Sequence, residues 1–208
     1  MDLRSVRLVL SLPIGKYFFV IIPEASSCKK RYISDMCADY TPSRKEQIEE
    51  SFRASHPLFD LPPVAWSGYM APILRGSHEA PSQLEIAPTM YAMVPHWADH
   101  KLACQTYNAR TETVASKPSF RSAWKRKQFC IISAANFFEP NYETGRPVRW
   151  RIERVDGGPV VIAGIWEYRS ADQLLSFSML TINADSQPAT RCAWSSRKTT
   201  SQPAAVLP

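Results

Sequence analysis

Six short apolar segments separated by turn-forming residues limit what this chain can fold into. They are Tyr69–Leu74, Thr89–Val94, Phe129–Phe138, Val148–Glu153, Val160–Tyr168 and Leu175–Asn183. In the fourth, Val148, Trp150 and Ile152 alternate with Arg149, Arg151 and Glu153, the period of a strand with one buried face. Val155-Asp156-Gly157-Gly158-Pro159 predicts a hairpin turn into the next strand. Helical signals are fewer. Thr41–Glu46 reads as a helix start, with Pro42 at the first helical position and Ser43 and Glu46 as a capping box. Ile48 and Phe52 carry this helix to about Ala54. A second helix is expected over Pro118–Lys127, with Phe120, Ala123 and Trp124 on one face. Many strands and few helices predict an α+β fold with a largely antiparallel sheet. With 208 residues, 45% of them hydrophobic, and no internal repeat, the chain can bury the core of one domain.

Both ends depart from this pattern. Arg4 and Arg7 precede an apolar run, Leu8–Ile22, that Pro13, Gly15 and Lys16 interrupt. The run makes a poor signal peptide and is too broken to span a membrane. Residues 1–35 are therefore read as an extension, either upstream sequence from a start codon assigned too early or a removable leader. Residues 36–185 hold the domain. From Ser186 to Pro208 no periodicity remains, and the segment reads as an aberrant, disordered tail. The five cysteines (Cys28, Cys37, Cys104, Cys130, Cys192) have no paired spacing, which argues against structural zinc and a disulfide framework and fits a reducing cytosol. A formal charge of +6 favours a polyanionic partner without specifying one.

Cys37 carries the sharpest chemical signal. It follows Met36, and cysteine is small enough for a preceding initiator methionine to be removed. A chain beginning at Met36 would expose a thiol and a free α-amine on neighbouring carbons, with ordinary pKa values of about 8.5 and about 7.7–8.0. Both groups are then partly nucleophilic near neutral pH, and together they close on an aldehyde to give a thiazolidine. An internal cysteine, whose nitrogen is an amide, cannot do this. Three polar segments beside strands add candidates. In Tyr107–Glu112, Asn108 can donate and accept, Arg110 offers a planar fork for a phosphate, and Glu112 can orient it; the run also reads as an ordinary polar turn. Glu139 follows an aromatic strand, a setting that raises a carboxyl pKa and suits acid–base work, or it is a surface glutamate at a strand end. In Val94-Pro95-His96-Trp97 the indole can stack on a base or pack in a core. No serine-nucleophile elbow, zinc-protease helix or phosphate loop is present.

Taken in order, Met36-Cys37, Tyr69-Met70-Ala71-Pro72, Met93–Trp97, Asn108–Glu112, Phe137-Phe138-Glu139 and Thr181-Ile182-Asn183-Ala184 resemble the SOS response-associated peptidase family, sensors of abasic sites in single-stranded DNA. The resemblance covers roughly Met36 to Asp185. It implies a single domain with a largely antiparallel, barrel-like β core and a few flanking helices. It implies that Cys37, once N-terminal, condenses with the ring-opened aldehyde of an abasic deoxyribose and forms a stable covalent crosslink. Asn108 would hold the sugar or the cysteine amine, and Glu139 would move protons. Arg110 would bind the adjacent phosphate, while Pro72 and Trp97 would shape the single-strand cleft. The peptidase name refers to self-processing that exposes the cysteine. The resemblance further implies a repair enzyme without metal or other cofactor, monomeric, cytoplasmic and nucleoid-associated when bound to DNA.

Two departures bear on activity. The family has Gly-Arg or Ala-Asn after the cysteine, whereas Ala38-Asp39 here puts a negative charge where phosphate approaches. The family's catalytic histidine follows the strand that ends at Asn183, and this chain has no histidine after His100. Together with the tail, these point to a truncated, impaired copy. The alternative is a module that binds single-stranded DNA without covalent chemistry. A cysteine hydrolase acting on peptides is disfavoured, because no local Cys–His pairing exists.

Overall fold

A closed β-barrel organises the chain, seen in a computed structural model that describes residues 22–24, 39–54, 59–77, 83–141, 145–146, 148–183 and 194–198. The strands are β1 (Ile22–Glu24), β2 (Asp39–Pro42), β3 (Ala65–Trp66), β4 (Met70–Gly76), β5 (Leu84–Tyr91) and β6 (Asn108–Arg110). They continue with β7 (Phe129–Asn141), β8 (Val148–Arg154), β9 (Val160–Arg169), β10 (Leu174–Asn183) and β11 (Trp194–Lys198). Two short helices, α1 (Lys45–Phe52) and α2 (Arg121–Lys125), and a 3-10 helix, His100–Gln105, flank them. Strand pairing runs β4–β5–β10–β9–β7 and returns to β4 through Leu74 opposite Ile131, which closes the ring. The predicted α+β class and largely antiparallel barrel are what form. Among the described residues, the parallel pairs all lie on β10, with β1, β5 and β6.

The core explains why two strands read as continuous apolar runs. Cys130, Ile132 and Ala134 of β7 and Val160 and Ile162 of β9 point into the barrel with Tyr40, Ile73, Tyr91, Phe177 and Met179. Their neighbours Ile131 and Val161 face outward but are covered by Ile48 and Phe52 of α1. Ala163 and Ile165 are covered by Ala123 of α2 and by Phe120 just before it. A strand buried on both faces loses the polar half of its alternation.

Several local expectations need correction. The first helix begins at Lys45, after an extended Arg44 whose N–H donates to Gln47 Oε1 at 3.1 Å. Pro42 instead ends β2, where the register on β7 shifts between Thr41 and Pro42. A residue without an N–H suits that irregularity, because the ladder is already broken there. Ser43 does not cap; it is buried and its Oγ accepts from Ser133 Oγ at 2.8 Å. The second helix is confined to Arg121–Lys125, although Phe120 and Ala123 are buried as its pattern required. Val155–Pro159 is not a hairpin. β8 and β9 lie end to end along one edge of β7, opposite β2 and β4, because thirteen residues of β7 are long enough to serve both. Within the tail, Trp194–Lys198 pairs antiparallel with β8, so that stretch is strand rather than structureless. Within the N-terminal extension, Ile22–Glu24 pairs with Thr181–Asn183.

Candidate functional site

The start of β2, the entry to β6 and strands β5 and β10 meet around an aromatic cluster. Tyr40 of β2 meets Tyr91 of β5 edge-on at 5.7 Å, and Tyr91 meets Tyr107 edge-on at 6.4 Å while stacking on Phe177 at 5.1 Å. Such contacts fix ring orientation as well as burying area. Tyr107 leads directly into β6, so the cluster ties Asn108 to the start of β2. Tyr40 lies opposite Phe137 on β7, and Glu139 follows two residues on, opposite Trp150 of β8. The entry of β2, the start of β6 and the end of β7 are thereby held together by packing and by register. Cys37 lies outside the described residues; in the sequence it precedes Asp39 by two.

Asn108 is buried on β6, whose Ala109 and Arg110 pair with Leu180 and Thr181. Arg110 is exposed at the end of that strand, and its carbonyl accepts from Thr113 and Val114, which turns the chain sharply after it. Glu139 is half-buried. Pro72 is buried in β4 opposite Pro88. Trp97 has 56% of its surface exposed, on a loop that is nevertheless well tethered. Arg169 Nη1 donates to the Ala98 carbonyl at 2.6 Å, His100 Nε2 meets Asp172 Oδ2 at 2.9 Å, and Thr106 Oγ1 donates to the Met93 carbonyl at 2.6 Å.

One arrangement has no counterpart in the sequence reading. Asp39, far from presenting an open negative charge, is buried and ion-paired with Arg149 of β8. The guanidinium carbon of Arg149 lies 3.4 Å from the Phe138 ring centre and 6.0 Å from that of Trp66. Burial raises the Asp39 carboxyl pKa above its ordinary value, and Arg149 opposes that rise only in part. In the sequence the Arg149/Arg151 face, like Lys125-Arg126-Lys127, reads either as a phosphate contact or as a solvated charged face, and nothing local ties Arg149 to a residue 110 positions away. Trp66, exposed at the end of β3, had no signal beyond its residue type.

A sequence profile of the SOS response associated peptidase (SRAP) family matches residues 36–190. The Bacillus subtilis abasic site processing protein YoaM is 33% identical over 85 residues, 40% of this chain and 37% of that protein. Another, YoqW, is 30% identical over 143 residues, 64% of this chain and 60% of that one. The chain therefore spans 37% and 60% of the length of those two relatives. A solved protein structure from Bordetella bronchiseptica is 33% identical, covers 76% of this chain and 78% of its own, and superposes with a TM-score of 0.63. One from Bacteroides thetaiotaomicron shares the fold at 19% identity, covering 79% of this chain and 77% of its own with a TM-score of 0.55. The barrel, the ordered segments around it and the match over most of its length agree, and the chain belongs to the SRAP family.

Proposed function

We propose that this protein captures abasic sites in single-stranded DNA by a covalent bond from Cys37, once that residue is N-terminal. The observation that carries the reading is the meeting of the β2 entry, Asn108 and the Glu139 end of β7 around the Tyr40–Tyr91–Tyr107 cluster. It is supported by relatives that are named abasic site processing proteins.

The chemistry follows from the groups available. The α-amine adds to the aldehyde carbon of the ring-opened sugar, and the resulting hydroxyl leaves as water after protonation, giving an imine. The thiolate then attacks the same carbon, the nitrogen takes a proton, and a thiazolidine closes. Protons must reach the departing hydroxyl and the ring nitrogen, and Glu139, half-buried two residues before the end of β7, is the carboxyl group assigned to deliver them. Asn108 can accept from the amine and donate to the sugar hydroxyl. Arg110 and Trp97, both exposed, hold a flanking phosphate and a flanking base. An abasic site has no base edge to read, so recognition rests on the backbone and on the aldehyde itself. Self-processing that frees the Cys37 amine is the peptidase activity in this reading, and the cytoplasm is where the protein would work.

The test is denaturing electrophoresis with an abasic single-stranded oligonucleotide. The full chain and a version starting at Met36 are compared, with mass spectrometry of each N-terminus. A heat-stable shifted band is expected only where Cys37 is N-terminal, and Cys37→Ala should abolish it. Equal, fully reversible binding by both versions, with no covalent band, would leave the non-covalent DNA-binding reading in its place.

A further inference from the structure

Beyond Arg110 and Trp97, four strands bring together a cation, two aromatic rings and a carboxylate. Asp39 of β2 is paired in register with Trp66 of β3 and ion-paired with Arg149 of β8. Phe138 of the intervening β7 lies beneath the guanidinium at 3.4 Å. Arg149 thus has one face against a ring and one edge against a carboxylate, which fixes the plane of its fork before any ligand arrives. Its side chain is still 44% exposed. Trp66 is 44% exposed, and Tyr69 on the turn that follows and Met70 at the start of β4 are 39% and 45% exposed. Single exposed apolar residues are ordinary, but three within five residues beside an oriented cation form a patch of defined chemistry. The turn is rigid: Tyr69 N–H donates to the Trp66 carbonyl at 2.9 Å, and Gly68 N–H to the Tyr91 carbonyl at 2.7 Å. Ser67 Oγ also donates to the Ala103 carbonyl at 3.1 Å, joining this turn to the 3-10 helix that begins three residues after Trp97.

We propose that Trp66 and Arg149 form a further subsite for one nucleotide of the single strand, the indole stacking on its base and the guanidinium binding its phosphate. The proposal rests on single-stranded DNA being the partner, as argued above, and extends the contact surface past Arg110 and Trp97. A phosphate matches the planar fork, and a base matches an open indole face. An acidic peptide offers the first match without the second. Asp39 gives the subsite a built-in competitor: the phosphate takes over a guanidinium that the carboxylate already holds, which keeps resting affinity low.

The experiment uses the full chain and an undamaged, fluorescently labelled single-stranded oligonucleotide, so that no covalent step enters. Trp66→Ala is expected to weaken binding about tenfold, the usual loss of one base–aromatic stack, and Trp66→Phe to restore most of it. Arg149→Lys keeps the charge and the partner for Asp39 but loses the fork, and should weaken binding several-fold. Asp39→Asn should tighten binding, a result that a purely structural ion pair would not give. Melting curves confirm that each variant is folded. Affinities of Trp66→Ala and Arg149→Lys within twofold of the parent overturn the subsite, as does equal competition by an oligoglutamate peptide. The covalent band formed on abasic DNA by the version starting at Met36, run alongside, reports separately on the reading on which the proposal rests. Loss of that band with intact binding by the parent condemns the crosslinking chemistry and leaves the subsite to be judged by its variants.

Discussion

The carboxylate of Asp39 and the guanidinium of Arg149 meet across β7, over the ring of Phe138. A charge that the sequence places in the path of a phosphate is in fact turned inward and neutralised. Because burial outweighs Arg149 in setting its pKa, the folded state holds the Asp39 proton more tightly than the unfolded chain does. The contribution of this carboxyl to stability is full below its ordinary value of 3.8 and is lost as pH rises through the raised value. Urea unfolding of the parent and of Asp39→Asn across pH 3.5 to 8 checks the sign. The parent should lose stability relative to the variant as pH climbs above about 4, and then run parallel to it. A gap that moves the other way would mean that Arg149 dominates.

Glu139 is expected to matter for chemistry and little for affinity. Glu139→Gln keeps the shape and removes the proton-transfer group, so covalent capture should slow by about a hundredfold or more. Binding of undamaged single strands should stay within twofold. Single-turnover band formation measured at saturating protein separates the two effects.

Gly164 of β9 sits in a crowded part of the barrel. A Cβ there would sit 2.5 Å from Ile132 Cδ1, 2.9 Å from Cys130 Sγ and 2.9 Å from the Ser178 carbonyl oxygen. Two of those atoms are side-chain ends and one is backbone, so Gly164→Ala forces the β9–β10 pair to shift. Overpacking of this kind costs about 1–3 kcal/mol, read as a lower urea midpoint with an unchanged slope.

Tyr40 buries its hydroxyl in the barrel without a hydrogen-bond partner among the described residues. Burial drives its pKa far above the ordinary phenol value, with the Cys130 thiol adding to the rise. Tyr40→Phe keeps the ring contact with Tyr91 and removes the unsatisfied group. Stability should be unchanged or higher by about 1 kcal/mol. A loss of more than that would reveal a bonded partner for the hydroxyl.

The Trp97 loop is pinned from the β9–β10 turn. Asp172 holds His100 at 2.9 Å and Arg169 at 3.1 Å, and Arg169 in turn holds the Ala98 carbonyl. Asp172→Ala should leave the global unfolding midpoint nearly unchanged, since the carboxylate is exposed and such pairs add little. Amide exchange over Ala98–Gln105 should nonetheless speed up, because local opening is governed by local tethers. Hydrogen exchange read by mass spectrometry would detect it.

The legible and illegible parts of the fold divide along a physical line. β7, β9 and β10 announced themselves because long runs of apolar and β-branched residues have few alternatives to a buried strand. The face of α1 was equally plain, since Ile48 and Phe52 are one helical turn apart and both are buried. β2 overlaps the Thr41–Glu46 helix start, nothing in the sequence marks β3, and β6 falls in a run that also reads as a polar turn. With four, two and three residues, they have too little local sequence to carry a period, and partners far along the chain hold them. The same limit hid the true neighbours of β8: the Gly157-Gly158 turn is real, but pairing with β7 rather than β9 is decided by the length of β7.

Sequence by itself determined the α+β class, the family, and the order of the segments bearing Asn108, Arg110 and Glu139, because residue types and their order survive without coordinates. Only tertiary structure decided that the barrel closes between β4 and β7, that Tyr107 reaches Tyr40 through Tyr91, and that Asp39 faces Arg149 rather than solvent. Each of those depends on contacts between residues remote in the chain, and free energies of burial and pairing are set by neighbours in space.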